Sequence, residues 1–218
     1  MCIRDRIYWG NSVIDDETAQ GLSDHFTKRQ IDRLYVVGSN EKTAPIIEAA
    51  YARFIGILDR LLAQKGYVLG ARPSSADFAV FGQMTQLGII EPTSAKITRD
   101  ISARVRAWID RMEDLSGLSP KDDDWFEVSN IKEVLGPLLT EIGRTYTPVM
   151  LANAKAVMAG EKAFETSVDG APWTQPTFKY QAKTLGWIRE VYFDLKSKDQ
   201  KRVDDILAGT GCEALFET

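Results

Sequence analysis

At 218 residues the chain is long enough for one large or two small domains, and its 44% hydrophobic content can supply a substantial core. Lys+Arg 27 against Asp+Glu 31 leaves a net charge of −4 with no long basic cluster, which argues against electrostatic capture of nucleic acid or of an anionic membrane. No apolar run can span a bilayer, no secretory signal opens the chain, and Cys2 and Cys212 make neither a disulfide framework nor a zinc spacing, so a globular, cytoplasmic protein is expected.

The opening Met-Cys-Ile-Arg-Asp-Arg matches the translation of a transposase sequencing adapter, ATG TGT ATA AGA GAC AG. Native sequence is therefore expected to begin at about Ile7 and the natural protein to be longer at its N-terminus; the other reading is an ordinary, slightly basic start. From 16 to about 37, Leu22, Phe26, Ile31, Leu34 and Tyr35 are compatible with an interrupted helix that Gly38-Ser39-Asn40 ends. Thr43 is then expected to cap a long helix with Pro45 in its first turn. Ile47, Tyr51, Phe54, Ile55, Leu58, Leu61 and Leu62 carry that helix to Gly66, a C′ glycine.

Residues 70–87 hold a turn, a helix start and an apolar helix. Ser74 is placed to accept from the backbone N–H three residues on, and Asp77 to reach back to the N–H of Ser74, a structural capping box. Phe78, Ala79, Val80, Phe81, Gly82 and Met84 offer almost no polar face, so other helices are expected to surround this one. After a loop at 91–93, Ile101, Val105, Trp108 and Met112 mark another amphipathic helix, closed by 117–120. Asp122-Asp123-Asp124 reads as a solvated loop, because no His or Glu pattern completes a metal site. Val134 to Ile142 and Met150 to Met158 point to one bent helix or two abutting ones at Pro148. Asp169-Gly170 signals a turn with a short hairpin. A helix through Leu185, Ile188 and Tyr192 follows, then a shorter one through Val203 and Leu207 that stops near Gly209 and Gly211.

Gly70, Ser74 and Asp77, placed after a long amphipathic helix, resemble the core helix of the C-terminal domain of the glutathione S-transferase superfamily. The resemblance runs from about Thr18 through Arg29-Gln30-Ile31-Asp32-Arg33 to Trp108 and the 111–117 ending. From about Ser119 the chain resembles a C-terminal extension of a group of bacterial glutathione S-transferase-like proteins, through Gly143-Arg144-x-Tyr146, Leu151-Ala152-Asn153, Trp173-Thr174-Gln175, Tyr180-Gln181-Ala182-Lys183 and Gly209-Thr210-Gly211-Cys212. The resemblance implies an all-α fold, a helical bundle over 7–118 with a helical extension over 119–218 packed on it, allowing for one minor hairpin.

In that superfamily glutathione sits mainly in a thioredoxin-like domain preceding the helices, with a Tyr, Ser or Cys near the sulfur. Nothing before Asp16 is long enough to be that domain, so the resemblance implies an N-terminally truncated protein. No residue inherits a catalytic role, no metal is expected, and glutathione is the co-substrate of the intact form, with little or no binding by this chain alone. The helical domain would supply a wall for a small hydrophobic electrophile, here Phe26, Arg29, Arg33 and Tyr35, with Tyr8 and Trp9 nearby in sequence. Helix packing and a solvated or salt-bridged arginine pair are the competing readings. Trp173, Gln175, Tyr180, Gln181 and Lys183 either line a pocket or pin an irregular loop to the helical body. His25, the single histidine, reads as an exposed helical residue, and Cys212 as a small buried apolar one. The intact protein is expected to transfer or use glutathione on small electrophiles, and the resemblance permits a homodimer; the alternative is a non-catalytic binding or interaction module on the same fold.

Overall fold

A computed structural model describes residues 15–217. Tyr8 and Trp9, with Cys2 and the expected native start at Ile7, lie outside the described residues. Nine α-helices and one two-stranded antiparallel hairpin make up the described chain. The helices are α1 (Asp16–Ile31), α2 (Ala44–Lys65), α3 (Ser75–Thr85), α4 (Pro92–Ile101), α5 (Ala103–Glu113), α6 (Ile131–Thr145), α7 (Thr147–Met158), α8 (Lys179–Phe193) and α9 (Ser197–Leu207). The hairpin, β1 (Ala163–Val168) and β2 (Ala171–Pro176), lies between α7 and α8, and its turn residues Asp169 and Gly170 both take positive φ. The fold is therefore all-α with a minor hairpin.

The main core is the buried stripe of α2, Ile55, Leu58, Leu61 and Leu62, packed on Tyr67, Val68, Met84 of α3 and Val105, Trp108, Ile109 and Met112 of α5. Helical spacing places these residues on one face each, and their removal from water is the main stabilising term. Asp77, fully buried, fixes the start of α3. One of its carboxylate oxygens accepts from the Ser74 N–H at 2.9 Å and the Ser74 hydroxyl at 2.7 Å, and the other from the Val68 N–H at 2.9 Å. Its charge is thus hydrogen-bonded at the positive end of the helix.

Several local expectations give way to other solutions. Thr43 does not cap α2; its hydroxyl donates to the Gly38 carbonyl at 2.7 Å, and Asn40 Oδ1 accepts from the N–H groups of Lys42 and Thr43 instead. The amphipathic pattern around Ile101 belongs to two helices, broken at Ser102, whose hydroxyl caps α5 by accepting from the Val105 N–H and donates to Asp59. Between them and α3, Gln86–Ile90 form a π-helical turn, closed by the Glu91 N–H donating to the Gln86 carbonyl at 2.9 Å. Helix α3 itself is not enclosed by helices: Phe78 is 52% exposed and Ala79 also faces out, because α2, α5 and the π-turn cover only the Met84 side. At Pro148 the chain makes two abutting helices, joined through Tyr146, whose backbone keeps a right-handed helical conformation.

The quoted motifs of the second half are joints. A Cβ on Gly143 would lie 2.0 Å from the Thr210 carbonyl oxygen, so α6 and the 209–211 turn meet backbone to backbone. Asn153, fully buried on α7, donates to the Phe178 carbonyl and accepts from the Phe178 N–H, fixing the entry to α8. Trp173 of β2 covers Gly38, where a Cβ would lie 2.5 Å from the indole, and thereby ties the hairpin to the end of the Leu34–Val37 turn.

Two stability predictions follow from these contacts. In urea denaturation Ser74→Ala is expected to cost about 0.5–2 kcal/mol and Asp77→Ala, which strands three donors, at least about 3 kcal/mol; equal losses would contradict the central role of the carboxylate. Gly143→Ala is expected to cost about 1–3 kcal/mol by overpacking, read by the same titration, whereas Gly21→Ala, on the exposed face of α1, should be neutral or stabilising.

Candidate functional site

Two apolar clefts lie side by side along α2. The larger, about 640 Å³, is walled by Ala50, Tyr51, Phe54 and Leu58 of α2, Ala76, Ala79 and Val80 of α3, and Leu138, Glu141 and Ile142 of α6. The smaller, about 250 Å³, runs between Val37, Ile46 and Ile47 on one side and Val149, Val168, Trp173, Gln175 and Gln181 on the other. Ala50, Thr145 and Tyr146 line both, so the Tyr146 ring stands at the partition. The walls exist because α2 turns its Leu58 stripe into the main core while its adjacent Ala50 and Phe54 edge meets α6, whose Leu138 and Ile142 recur one turn apart.

Charge is gathered at the partition. Arg53 of α2 makes a forked pair with the buried Glu141 of α6, with N···O distances of 2.8–3.1 Å, and a further contact of 3.0 Å with Asp169 of the hairpin turn. Arg144 approaches Glu141 at 3.9 Å and Asp169 at 3.8 Å. The hydrogen bonds to Glu141 hold the Arg53 guanidinium still more firmly in its charged form. Because the pair lies along the cleft wall, Glu141 is a neutralised carboxylate rather than a free base.

The phenols of the larger cleft are kept protonated. Burial raises the Tyr51 hydroxyl above its ordinary value, although it also pairs with Thr98 Oγ1 at 2.7 Å, and burial raises Tyr146 as well. Cys212 sits apart from both clefts, in the cluster of Met150, Leu185 and Leu207, where burial pushes its thiol up and its Sγ donates to the Leu139 carbonyl at 3.1 Å. These groups can desolvate and orient an apolar molecule; they do not generate a thiolate or a strong base at neutral pH. No cluster of metal-ligating side chains occurs among the described residues.

The sequence-derived candidates fall in three places. Trp173, with Gln175 and Gln181, lines the smaller cleft; the indole N–H donates to Gln175 Oε1 at 3.2 Å, so Trp173 both lines a pocket and pins the hairpin. Tyr180 is exposed and stacks edge-on against Trp187, with Lys183 over the same indole. Phe26, Arg29, Arg33 and Tyr35 are exposed and line neither cleft. Arg33 lies past the end of α1, so it does not share a helical face with Arg29, and neither makes an ion pair among the described residues. His25 is exposed on α1, and Asp124 uses its carboxylate to accept from the Lys121 N–H.

Tyr51, Phe54, Arg53, Glu141 and Tyr146 were not legible as a site. The first two read as core-facing periodic residues. The ion pair spans 88 positions, and its only local signal is a charge embedded in each of two apolar helix stripes. Tyr146 was visible only as part of a motif without a role.

Residues 22–111 match the family model described as "Glutathione S-transferase, C-terminal domain". Neither the curated proteins nor the solved structures contain a match to the chain. The matched span covers α2 to most of α5 together with the capping box at Ser74 and Asp77, and hence two of the three helices that wall the larger cleft. Over residues 22–111 the chain is therefore similar to the C-terminal helical domain of the glutathione S-transferase superfamily.

Proposed function

We propose that the chain is the helical part of a glutathione S-transferase-like protein, truncated at its N-terminus, whose intact form uses glutathione on small hydrophobic electrophiles. In this reading residues 7–118 form the family domain and 119–218 an extension packed on it. The observation that carries the proposal is the larger cleft: an apolar wall of about 640 Å³ shared between the matched helices and α6, with neutral phenols at its edge. Such a wall binds an apolar co-substrate by removing its surface from water, at about 25 cal/mol per Å². It has no means of activating sulfur, and the proposal assigns that task, with glutathione binding, to a thioredoxin-like domain upstream.

Phe26, Arg29, Arg33 and Tyr35 enter the proposal as a second, exposed wall whose arginines meet an anionic group of the substrate or the upstream domain. Trp173 enters as the floor of the smaller cleft. Tyr180 takes no part, since it lies beside neither cleft. A cytoplasmic location belongs to the same proposal; no described helix is long and apolar enough to cross a membrane.

Assays with a generic aromatic electrophile separate the parts of this proposal. Residues 1–218 alone are expected to bind glutathione poorly and to give no conjugation above the uncatalysed rate, while the full-length gene product conjugates; turnover by the chain alone would overturn the division of labour. In the full-length protein Ala79→Trp, which fills the larger cleft from its exposed side, is expected to raise KM for the electrophile about tenfold or more, equivalent to about 1.4 kcal/mol, with KM for glutathione unchanged. An unchanged electrophile KM in Ala79→Trp, together with a raised one in Arg29→Ala or Arg33→Ala, would move the site to the α1 wall. A full-length sequence without a sulfur-contacting Tyr, Ser or Cys would favour the non-catalytic binding module.

A further inference from the structure

The inner face of the hairpin carries a buried side chain that its own neighbours do not satisfy. Side chains alternate along a strand, so Trp173 and Gln175 of β2 both turn inward, beside Phe164 and Val168 of β1. Three of these four are apolar core residues. Gln175 is polar and only 2% exposed, and a buried amide costs stability unless its donors and acceptor are matched.

The indole N–H of Trp173 can only donate, so the end of the Gln175 amide that faces it at 3.2 Å is Oε1, and Nε2 is the free end. No acceptor for Nε2 occurs among the described residues. Gln181, in the first turn of α8, has the complementary need: its Oε1 is buried with no donor among the described residues. Its place is fixed, because its backbone N–H donates to the Phe178 carbonyl at 3.1 Å and Asn153 clamps Phe178. Both amides border the smaller cleft, whose other walls are mostly apolar, Val37, Ile46, Val149 and Val168 among them. A free donor on one amide and a free acceptor on the other, around one apolar space, match a flat edge that presents C=O and N–H side by side. A lactam or imide ring has that edge because its amide is cis, whereas a trans backbone amide directs the two groups to opposite sides. The size agrees: a dry cavity of about 150 Å³ binds benzene, and this cleft of about 250 Å³ admits one ring or two fused ones.

We propose that the smaller cleft binds a neutral lactam or imide ring, the class of the pyridones and pyrimidine bases, with Gln175 Nε2 donating to the ring carbonyl and the ring N–H donating to Gln181 Oε1. The apolar walls remove the ring from water, and the two amides select its edge. All residues that line the site lie between positions 37 and 181, so the proposal does not rest on glutathione use or on an upstream domain.

Titration of residues 1–218 into carbostyril, a fluorescent two-ring lactam, in the absence of glutathione tests the site. Saturable one-to-one binding is expected. N-methylcarbostyril keeps the rings and the carbonyl but has no N–H to give, and it should bind at least about tenfold more weakly, since a site built around a hydrogen bond rejects the analogue that lacks it. Gln181→Met, which keeps the length of the side chain, should fold as the parent does by circular dichroism and erase that difference. Ile47→Trp, at the exposed rim of the smaller cleft, should abolish binding, whereas Ala79→Trp in the larger cleft should leave it unchanged. Absence of saturable binding, equal affinity for the two lactams, a difference that survives Gln181→Met, or loss of binding in Ala79→Trp but not in Ile47→Trp would overturn the proposal. None of these readouts involves conjugation, so the transferase reading stands or falls separately.

Discussion

The Asp77 carboxylate is the constraint on which the arrangement of the first half rests. A fully buried ionised carboxylate is costly unless its oxygens are occupied, and three donors occupy them here: the N–H groups of Val68 and Ser74 and the Ser74 hydroxyl. Two of these belong to the helix start and one to the beginning of the loop that leaves α2, so a single charge sets the angle between α2 and α3. The segment after α5 then closes over that loop. The Ala71 N–H donates to the Asp124 carbonyl, the Phe126 N–H to the Leu69 carbonyl, and Arg72 stacks over Trp125. Because Val68, Ala76 and Val80 line the larger cleft, the same carboxylate that starts the helix also positions one wall of the candidate site.

The second half is fastened to that frame at a few points of different chemistry. Arg53 spans three elements, with Glu141 on α6 and Asp169 on the hairpin turn, and its planar fork matches the Glu141 carboxylate in a way a lysine could not. Trp173 over Gly38 is an apolar joint to the same frame, while Gly143 against Thr210 and Asn153 around Phe178 are joints internal to the second half. Gly143, Asn153, Trp173 and Thr210 thus coincide with backbone approaches and clamps, which accounts for those residue types. Glycines and a buried asparagine are needed where chain segments touch and where free backbone groups must be matched.

The elements legible in the sequence were those that depend on local chemistry. Periodicity placed α2 and α8, Gly66 marked the end of α2, Asp169-Gly170 marked the hairpin turn, and the capping residues marked α3. What escaped was decided by distant partners. The break at Ser102 depends on Asp59, whose carboxylate takes the Ser102 hydroxyl, and it divides what looked like a single amphipathic run. Thr43 resembled a helix cap, yet Gly38 and Asn40 claimed its hydroxyl. The exposure of Phe78 and Ala79 could not be inferred from composition, since an apolar helix reads alike whether it is enclosed or borders a cleft. For the candidate site, Trp173 and Gln181 stood out as an aromatic and polar cluster, but the larger cleft is built from residues that all have ordinary core identities. Only the approach of α6 to α2, held by an ion pair 88 positions apart, turns them into a wall.

The chemistry of that wall follows from its low polarity. Burial opposes the charged form of the phenols along the wall, so Tyr51 and Tyr146 are both moved away from ionisation, and the one carboxylate at the cleft is committed to Arg53. A surface that activates a thiol needs the opposite arrangement, with donors or positive charge directed at the developing anion. The same residues cannot serve both ends well, because the dry apolar walls that favour a hydrophobic co-substrate penalise a thiolate placed against them. Separating the two tasks between domains resolves the conflict. Under the proposed division of labour an apolar partner would be desolvated against α2, α3 and α6, and the sulfur would be held where polar groups and water stabilise its charge.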